Sequence, residues 1–196
     1  MTPNTRPAPN CTPRLLQRMQ RLCSGALLAA SLLAAGCASP SHAPLPTVAA
    51  VDLPRYMGAW YEVASIPNKF QAMCVADTQA RYTLTNGEVG VHNRCRNDKG
   101  EITGAQGFVK VVEGSANAKL KVSFFRPFYG DYWVLALDPD YQWVLVGVPS
   151  RELAWVLARK PALEASVLAG ILAKAAALGF DRAAFKPTPQ TQPLAP

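Results

Sequence analysis

Few residues in this chain of 196 could carry out catalysis. There are two histidines, His42 and His92, and the sequence contains no glycine-rich phosphate loop, serine nucleophile motif or pair of closely spaced carboxylates. We therefore expect no enzyme activity and no cofactor. His92 falls in a β-favouring stretch, where a half-buried structural role is the simpler interpretation.

The five cysteines divide by position. Cys11 and Cys23 lie in an N-terminal stretch that has the features of an export signal, and Cys37 follows it directly. Cys74 and Cys95 remain as an even pair, and in an oxidising compartment they are expected to form a disulfide bond worth roughly 3 kcal/mol. Two cysteines without a histidine at ligand spacing are too few for a metal site.

The first 36 residues are expected to be a cleaved export signal. Arginines are followed by an apolar run at 22–36 and then by small residues, the order typical of secretory signals. The run is shorter than the roughly 20 residues that span a bilayer as a helix. Residues 33–37, Leu-Ala-Ala-Gly-Cys, resemble a bacterial lipobox, which implies that Cys37 is acylated and anchors the protein to the outer membrane, with the domain facing the periplasm. A cleaved, soluble periplasmic protein is the alternative.

Charge gives no indication of a nucleic-acid partner. The formal net charge is +7, but four arginines and no acidic residue lie in the first 36 positions, so the remainder is only weakly basic. In that remainder, residues 37–50 are rich in Pro, Ser and Ala and are predicted to be a flexible tether from the lipidated cysteine. Residues 51–186 are predicted to form one domain, and 187–196 an unstructured tail.

Short β-favouring runs separated by turn residues fill most of that domain. They are residues 58–66, 77–85, 88–94, 101–112, 117–126, 131–138, 141–148 and 153–160. Asn86-Gly87 is a strong hairpin signal. After Pro161, expected in the first turn of a helix, Leu163, Val167, Ile171 and Leu178 share one helical stripe. The pattern predicts an all-β fold, an eight-stranded antiparallel up-and-down barrel with one C-terminal α-helix packed on its outside.

Three short motifs resemble the signature of the lipocalin family. Gly58-Ala-Trp60 opens the first strand, Asp140-Tyr141 precedes the seventh, and Arg159 ends the eighth. Residues 120–130 bring the resemblance closer to bacterial outer-membrane lipoprotein lipocalins and apolipoprotein D, and it covers about residues 52–186. In such a barrel Trp60 and Arg159 meet at one end, where a guanidinium on an indole face gains roughly 1 to 2 kcal/mol. These residues are expected to be structural.

Strand alternation predicts the barrel lining. The inward set would be Trp60, Glu62, Ala64, Leu120, Val122, Phe124, Tyr132, Val134, Ala136, Trp155 and Leu157. An inward Glu62 needs a partner, for which Arg81 or Arg159 is expected. A structural ion pair and recognition of a ligand's polar group are both open for this carboxylate.

An apolar interior below a basic, aromatic mouth suits an amphiphile with a buried tail. Lys69, Phe70, Arg94, Arg96, Lys99, Arg126, Phe128 and Tyr129 fall in or near the links of that mouth. The lipocalin resemblance likewise implies a fatty acid or lysophospholipid as ligand. From the predicted lining and mouth we expect Trp155 and Tyr129 to contact it, with Arg126 at its head group. A ligandless structural or interaction barrel, or a carrier of a pigment or haem-like molecule, is the alternative.

Overall fold

A computed structural model describes residues 43–196. The export signal, Cys37, His42 and the first part of the predicted tether lie outside the described residues. The helices and strands, in chain order, are α1 (Leu53–Tyr56), β1 (Gly58–Ser65), β2 (Ala76–Thr85), β3 (Glu88–Arg96), β4 (Ile102–Val111), β5 (Lys119–Phe125), β6 (Phe128–Leu137), β7 (Trp143–Gly147), β8 (Ala154–Ala158), α2 (Ala165–Ala177) and β9 (Lys186–Pro187), with 3₁₀ turns at Lys69–Gln71 and Arg182–Ala184. No helix within this described part is long and apolar enough to cross a membrane.

The strands close into the predicted barrel. Each of β1 to β8 pairs antiparallel with its neighbours in sequence, and β1 pairs with both β2 and β8. The links after β1, β3, β5 and β7 therefore lie at one end, the open end, and those after β2, β4 and β6 lie at the closed end with α1. At the β2–β3 hairpin Asn86 and Gly87 have φ of 53° and 81°, as a type I′ turn requires.

Helix α2 covers the outside of the barrel, as predicted, but it starts later than expected. It begins at Ala165 after the N-cap Glu164, so Pro161 lies ahead of the first turn and not in it. Ile171 and Ala175 are buried in the cluster that joins the helix to the outer wall. Val167, predicted on the buried stripe, is 38% exposed, because the helix packs on the barrel through Leu168, Ile171, Leu172 and Ala175 instead.

Two β-bulges reverse the predicted direction of two side chains. One lies in β1 between Glu62 and Ala64, and the other in β6 between Val134 and Ala136. Each bulge adds a residue to one strand only and shifts the alternation beyond it. Ala64 and Ala136 therefore join the outer cluster beneath α2 instead of lining the interior.

The N-terminal segment 43–50 was expected to be a flexible tether, but it packs against the barrel. The carbonyl of Ala43 accepts a 2.6 Å hydrogen bond from Nη2 of Arg151, in the β7–β8 link at the open end. Leu45 is buried among the residues under α2, and the N–H of Val48 donates to the carbonyl of Val134. The two apolar side chains give this proline-rich stretch enough burial to fix it.

The C-terminal tail was also expected to be unstructured and is instead hydrogen-bonded to the barrel. Direct pairing of β1 with β2 stops at Tyr61 and Gln79, and toward the open end the tail runs between these two strands. After β9 pairs with β1, the N–H of Thr188 donates to Val63, and the carbonyl of Pro189 accepts from Asp77. The prolines lack N–H donors, but their carbonyls and the Thr and Gln side chains make these contacts possible.

Candidate functional site

The closed end is sealed by the pair predicted from the sequence. The Trp60 side chain is fully buried, and the Arg159 guanidinium lies 3.8 Å from its ring centroid. Arg159 also donates from Nη1 to the carbonyl of Ala59 at 2.8 Å, while Nε1 of Trp60 donates to the carbonyl of Tyr56. Gly58 has φ of +94°, a conformation that favours glycine. Signature residues from the start of β1 and from just after the end of β8 thus form one plug.

Asp140 and Tyr141 lie in the turn from β6 to β7 at the same end. The carboxylate of Asp138 accepts hydrogen bonds from the N–H groups of Asp140 and Gln142. The Tyr141 hydroxyl accepts from the N–H of Asp52, the N-cap of α1. These contacts attach the turn to α1 and give both signature residues a structural role.

Three tyrosines lie above this plug. The hydroxyls of Tyr56 and Tyr132 are 2.7 Å apart, and the Tyr82 ring packs edge-on against both rings. Burial raises the pKa of each hydroxyl above its usual value. Tyr132 therefore contacts other tyrosines deep in the barrel, below the level at which an entering molecule first meets the wall.

Aliphatic side chains fill the rest of the lower interior. The buried residues of this inner cluster include Val89, Val91, Val109, Leu120, Val134, Val144, Val146 and Leu157. Leu120 and Leu157, both predicted to face inward, are among them. This half of the barrel leaves little room for a ligand.

The upper interior differs because inward-facing side chains there remain accessible. Val122 and Trp155 pack only partly buried against the inner cluster. Ala105 and Gly107 lie on the same inward face of β4, and Ala105 is exposed. Phe124 faces the same side, because its ring would lie 2.9 Å from a Cβ atom added at Gly107. Phe124 is 47% exposed. Since these residues face the inside of a closed barrel, their accessibility indicates unfilled space. We call this space the cup.

A hydrogen-bond network centred on Gln71 crosses the mouth of the cup. Its Oε1 accepts from Nε1 of Trp155 at 2.7 Å, and its Nε2 donates to Oε2 of Glu62 at 2.7 Å. The other Glu62 oxygen accepts from the hydroxyls of Ser65 and Thr188. Gln71 lies in a loop where no sequence pattern indicated a role.

Neither arginine expected to neutralise Glu62 does so. Arg159 is held at the closed end, and the donors that reach Glu62 are neutral groups from the loop, the strand and the tail. Glu62 as a whole residue is 4% exposed. A pocket of about 300 Å³ adjoins it, between the β1–β2 loop and residues 186–189.

The predicted disulfide between Cys74 and Cys95 is confirmed, with 5.5 Å between the Cα atoms. Cys74 lies in the β1–β2 loop and Cys95 in β3. The bond therefore attaches the loop that carries Gln71 to the barrel wall.

Two predicted ligand contacts point away from the cup. Tyr129 lies on the outer face, where Nζ of Lys110 is 4.6 Å from its ring centroid. The Arg126 guanidinium lies 3.7 Å from the ring centroid of Phe108, a residue that alternates with the inward Gly107 and Val109. The tight β5–β6 hairpin and a bulge before it turn both side chains outward.

Comparisons with known proteins agree on one family. Residues 51–190 match the family described as Lipocalin-like domain. Temperature-induced lipocalin-1 of Arabidopsis thaliana is 39% identical over 163 residues, which cover 75% of this chain and 83% of that protein. Outer membrane lipoprotein Blc of Escherichia coli strain K12 is 36% identical over 158 residues, 80% and 89% of the two chains.

A solved structure shows the same fold at lower identity. Insecticyanin from the tobacco hornworm Manduca sexta superimposes with a TM-score of 0.61 at 21% identity, over 78% of this chain and 86% of the other.

Proposed function

This chain belongs to the lipocalin family, and from that premise we propose that it holds one single-chain amphiphile, a fatty acid or a lysophospholipid, in its cup at the bacterial outer membrane. The observation that carries the proposal is the contrast between the two halves of the barrel interior. The lower half is filled with aliphatic and tyrosine side chains, whereas Ala105, Val122, Phe124 and Trp155 face inward and stay accessible. Such an apolar cup with polar groups at its mouth suits an acyl chain with a polar head.

The negative charge of Glu62 favours one of the two ligand classes. Glu62 has only neutral hydrogen-bond donors around it, and both ion pairs found among residues 43–196 lie elsewhere. A carboxylate without a cationic partner repels a free fatty acid head and attracts an ammonium group. We therefore favour a lysophospholipid whose head carries an ammonium over a free fatty acid.

The proposed location rests on Cys37. Its lipobox-like context predicts acylation, and several acyl chains give firm anchoring because each buried methylene contributes about 0.8 kcal/mol. Two similar proteins, from Escherichia coli and Vibrio cholerae, are named as outer membrane lipoproteins. The domain would face the periplasm.

Displacement of an environment-sensitive fluorescent fatty acid tests the cup. We expect binding to saturate near one probe per chain and a lysophospholipid to displace it. Ala105→Trp should abolish this binding by filling the cup, whereas Ala169→Trp, on the exposed side of α2, should leave it unchanged. Equal effects of the two substitutions, or absence of saturable binding, would reject the proposal in favour of a ligandless barrel.

Glu62→Gln tests the head-group argument separately. The wild-type protein should bind an ammonium-bearing lysophospholipid more tightly than a fatty acid of equal chain length. The variant should narrow this difference because the attracting and repelling charge is gone. Glu152→Gln, in the exposed β7–β8 link, is the matched control and should keep the wild-type preference. An unchanged preference in Glu62→Gln would show that this carboxylate does not read the head group.

A further inference from the structure

Two loops on the open rim expose large apolar side chains to solvent. In the β5–β6 hairpin Phe125 is 76% exposed and Phe128 is 70% exposed, and their rings stack with centroids 6.3 Å apart. In the β1–β2 loop Phe70 and Met73 are 67% and 54% exposed. Contiguous exposed apolar side chains of this kind mark sites that contact a protein, a ligand or a membrane.

The charges in these two loops are all positive. Lys69 is the one charged residue at positions 66–75, and Arg126 is the one at positions 122–130. Each cation lies over an aromatic ring, that of Phe70 at 5.4 Å and that of Phe108 at 3.7 Å. An aromatic residue beside a cation, with no acid nearby, complements the interface of an anionic bilayer.

The turns at the closed end carry the opposite charge, although the cations Arg55, Arg159 and Lys160 also lie at that end, the first two over aromatic rings. The three turns that join strands there span residues 86–87, 112–118 and 138–142; they contain Glu113, Asp138 and Asp140 but no Lys or Arg. An anionic surface would therefore repel these turns and attract the β1–β2 and β5–β6 loops. The other two links of the rim do not share this apolar, basic character: the β3–β4 link has Asp98 and Glu101 beside Lys99, and the β7–β8 link has Glu152 beside Arg151.

The strand order sets the positions of the two loops. In an eight-stranded barrel the β1–β2 and β5–β6 links lie on opposite sides of the opening. Contact through both loops at once directs the opening toward the bilayer. Contact through either loop alone would tilt the barrel onto its side.

The position of the N-terminal segment also favours an open end that faces the membrane. Ala43 is hydrogen-bonded to Arg151 in a link of the open end. Cys37 lies six residues earlier, and six residues of extended chain reach about 20 Å at most. This step rests on the proposed anchor at Cys37: acyl chains there would keep the open end, and not the closed end, close to the lipid.

We propose that the open rim is a membrane-docking surface, which sets the phenylalanines of both loops into the interface of an anionic bilayer with the cup opening toward the lipid. An amphiphile then passes between bilayer and cup without crossing water. The occupant of this surface is the bilayer itself, so docking does not require a ligand in the cup.

Photo-crosslinking in host membranes tests the orientation with the full chain. A photoreactive phenylalanine analogue replaces Phe128 in one sample and Leu84, a 40% exposed apolar residue at the closed end, in a matched control. We expect adducts of two-chain phospholipid at position 128, at least about tenfold more than at position 84. Equal yields at both positions, adducts with a protein, or single-chain adducts alone would overturn the proposal.

Vesicle binding tests the residues. The exported chain with Cys37→Ser provides a common background without the anchor, and vesicles of phosphatidylglycerol or phosphatidylcholine are the probes. Phe125→Ser with Phe128→Ser should weaken binding to both kinds of vesicle, whereas Leu84→Ser should not. Arg126→Gln should weaken binding about fivefold, for phosphatidylglycerol only, because a basic residue near an anionic surface contributes about 1 kcal/mol.

The two proposals fail separately. If the rim variants bind vesicles as the background does, the docking surface is wrong, whatever the cup binds. If they lose vesicle binding while the fluorescent fatty acid still binds, docking is supported independently of the cup.

Discussion

Asp77 joins the C-terminal tail to the barrel, and Asp77→Asn is expected to weaken that junction. Its buried carboxylate accepts a 2.7 Å hydrogen bond from Nε of Arg96 and a 2.9 Å bond from the N–H of Gln192. The residue has φ of 58°, a conformation that asparagine also adopts readily. The substitution therefore removes charge and one acceptor without forcing the backbone to change.

The expected loss is about 2 kcal/mol in the free energy of unfolding. A hydrogen bond to a charged group contributes roughly 1.5–3 kcal/mol, and the asparagine oxygen can keep one of the two main bonds. The Arg96 side chain is 22% exposed, so water can hydrogen-bond to it once the carboxylate is gone. The expected loss of unfolding free energy is therefore near the lower limit of that range. Urea denaturation followed by tryptophan fluorescence measures it.

The pH dependence gives a second readout. Burial alone would raise the pKa of Asp77, but hydrogen bonds from Arg96 and the backbone of Gln192 outweigh burial and hold the pKa below its usual value. A lowered pKa in the folded state means that the stabilisation is present above about pH 4, the unfolded value, and is lost as pH falls through the folded value. The difference between wild type and Asp77→Asn should therefore shrink in that acidic range.

Asp131→Asn is the matched control, since both side chains of the Asp131–Lys121 ion pair are accessible to solvent. Exposed pairs contribute 0 to about 1 kcal/mol. If both substitutions cost the same, or if the Asp77 difference does not change with pH, the attachment of the tail through this carboxylate is refuted.

Three further outcomes are expected. Trp155→Ala should weaken amphiphile binding in a stably folded domain, whereas Trp60→Ala should cost about 3–5 kcal/mol of stability; the reverse pattern in binding and urea titrations would contradict our assignment of the inner wall. In an alkaline absorbance titration three of the six tyrosines should ionise only on unfolding, because burial raises the pKa of Tyr56, Tyr82 and Tyr132. The stabilisation from these neutral hydroxyls is thus fully present below about pH 10, the unfolded value, and is lost as pH rises through the raised values of the folded state. Titration of all six tyrosines together near pH 10 would argue against the cluster. Replacing both Cys74 and Cys95 by serine should cost about 3 kcal/mol and speed hydrogen exchange in the β1–β2 loop, and unchanged exchange would mean that the disulfide does not hold this loop.

The sequence predicts the barrel well because its signals are local. Turn residues separate all eight strands, and Asn86-Gly87 sets a register that holds from Thr85–Glu88 to Gln79–Arg94. Trp60 and Arg159 meet as expected because the up-and-down order brings the start of β1 and the end of β8 to the same end. The disulfide follows from the even cysteine pair.

Alternation fails where a bulge intervenes. Nothing in residues 62–64 or 134–136 distinguishes a bulged strand from a regular one, so the expected inward directions of Ala64 and Ala136 are wrong. The partners of Glu62 could not be predicted either. They come from a loop and from the tail, and only the tertiary structure brings Gln71 and Thr188 to this carboxylate.

Composition is a poor guide to the two terminal segments. Proline-rich stretches cannot form regular ladders by themselves, which is why both were expected to be unstructured. Their few apolar side chains and free carbonyls still pair with groups that the barrel leaves open, such as the Tyr61 hydroxyl, which donates to the carbonyl of Leu194.

The position of the tail between β1 and β2 bears on aggregation. Where those strands separate, each would present unpaired backbone groups, and such sheet edges recruit strands from neighbouring molecules. The backbone contacts of residues 186–189 with Ala64, Val63 and Asp77 cover them. Proteolytic removal of residues 187–196 would expose these backbone groups in every copy, so we expect the trimmed protein to aggregate more readily than the intact chain.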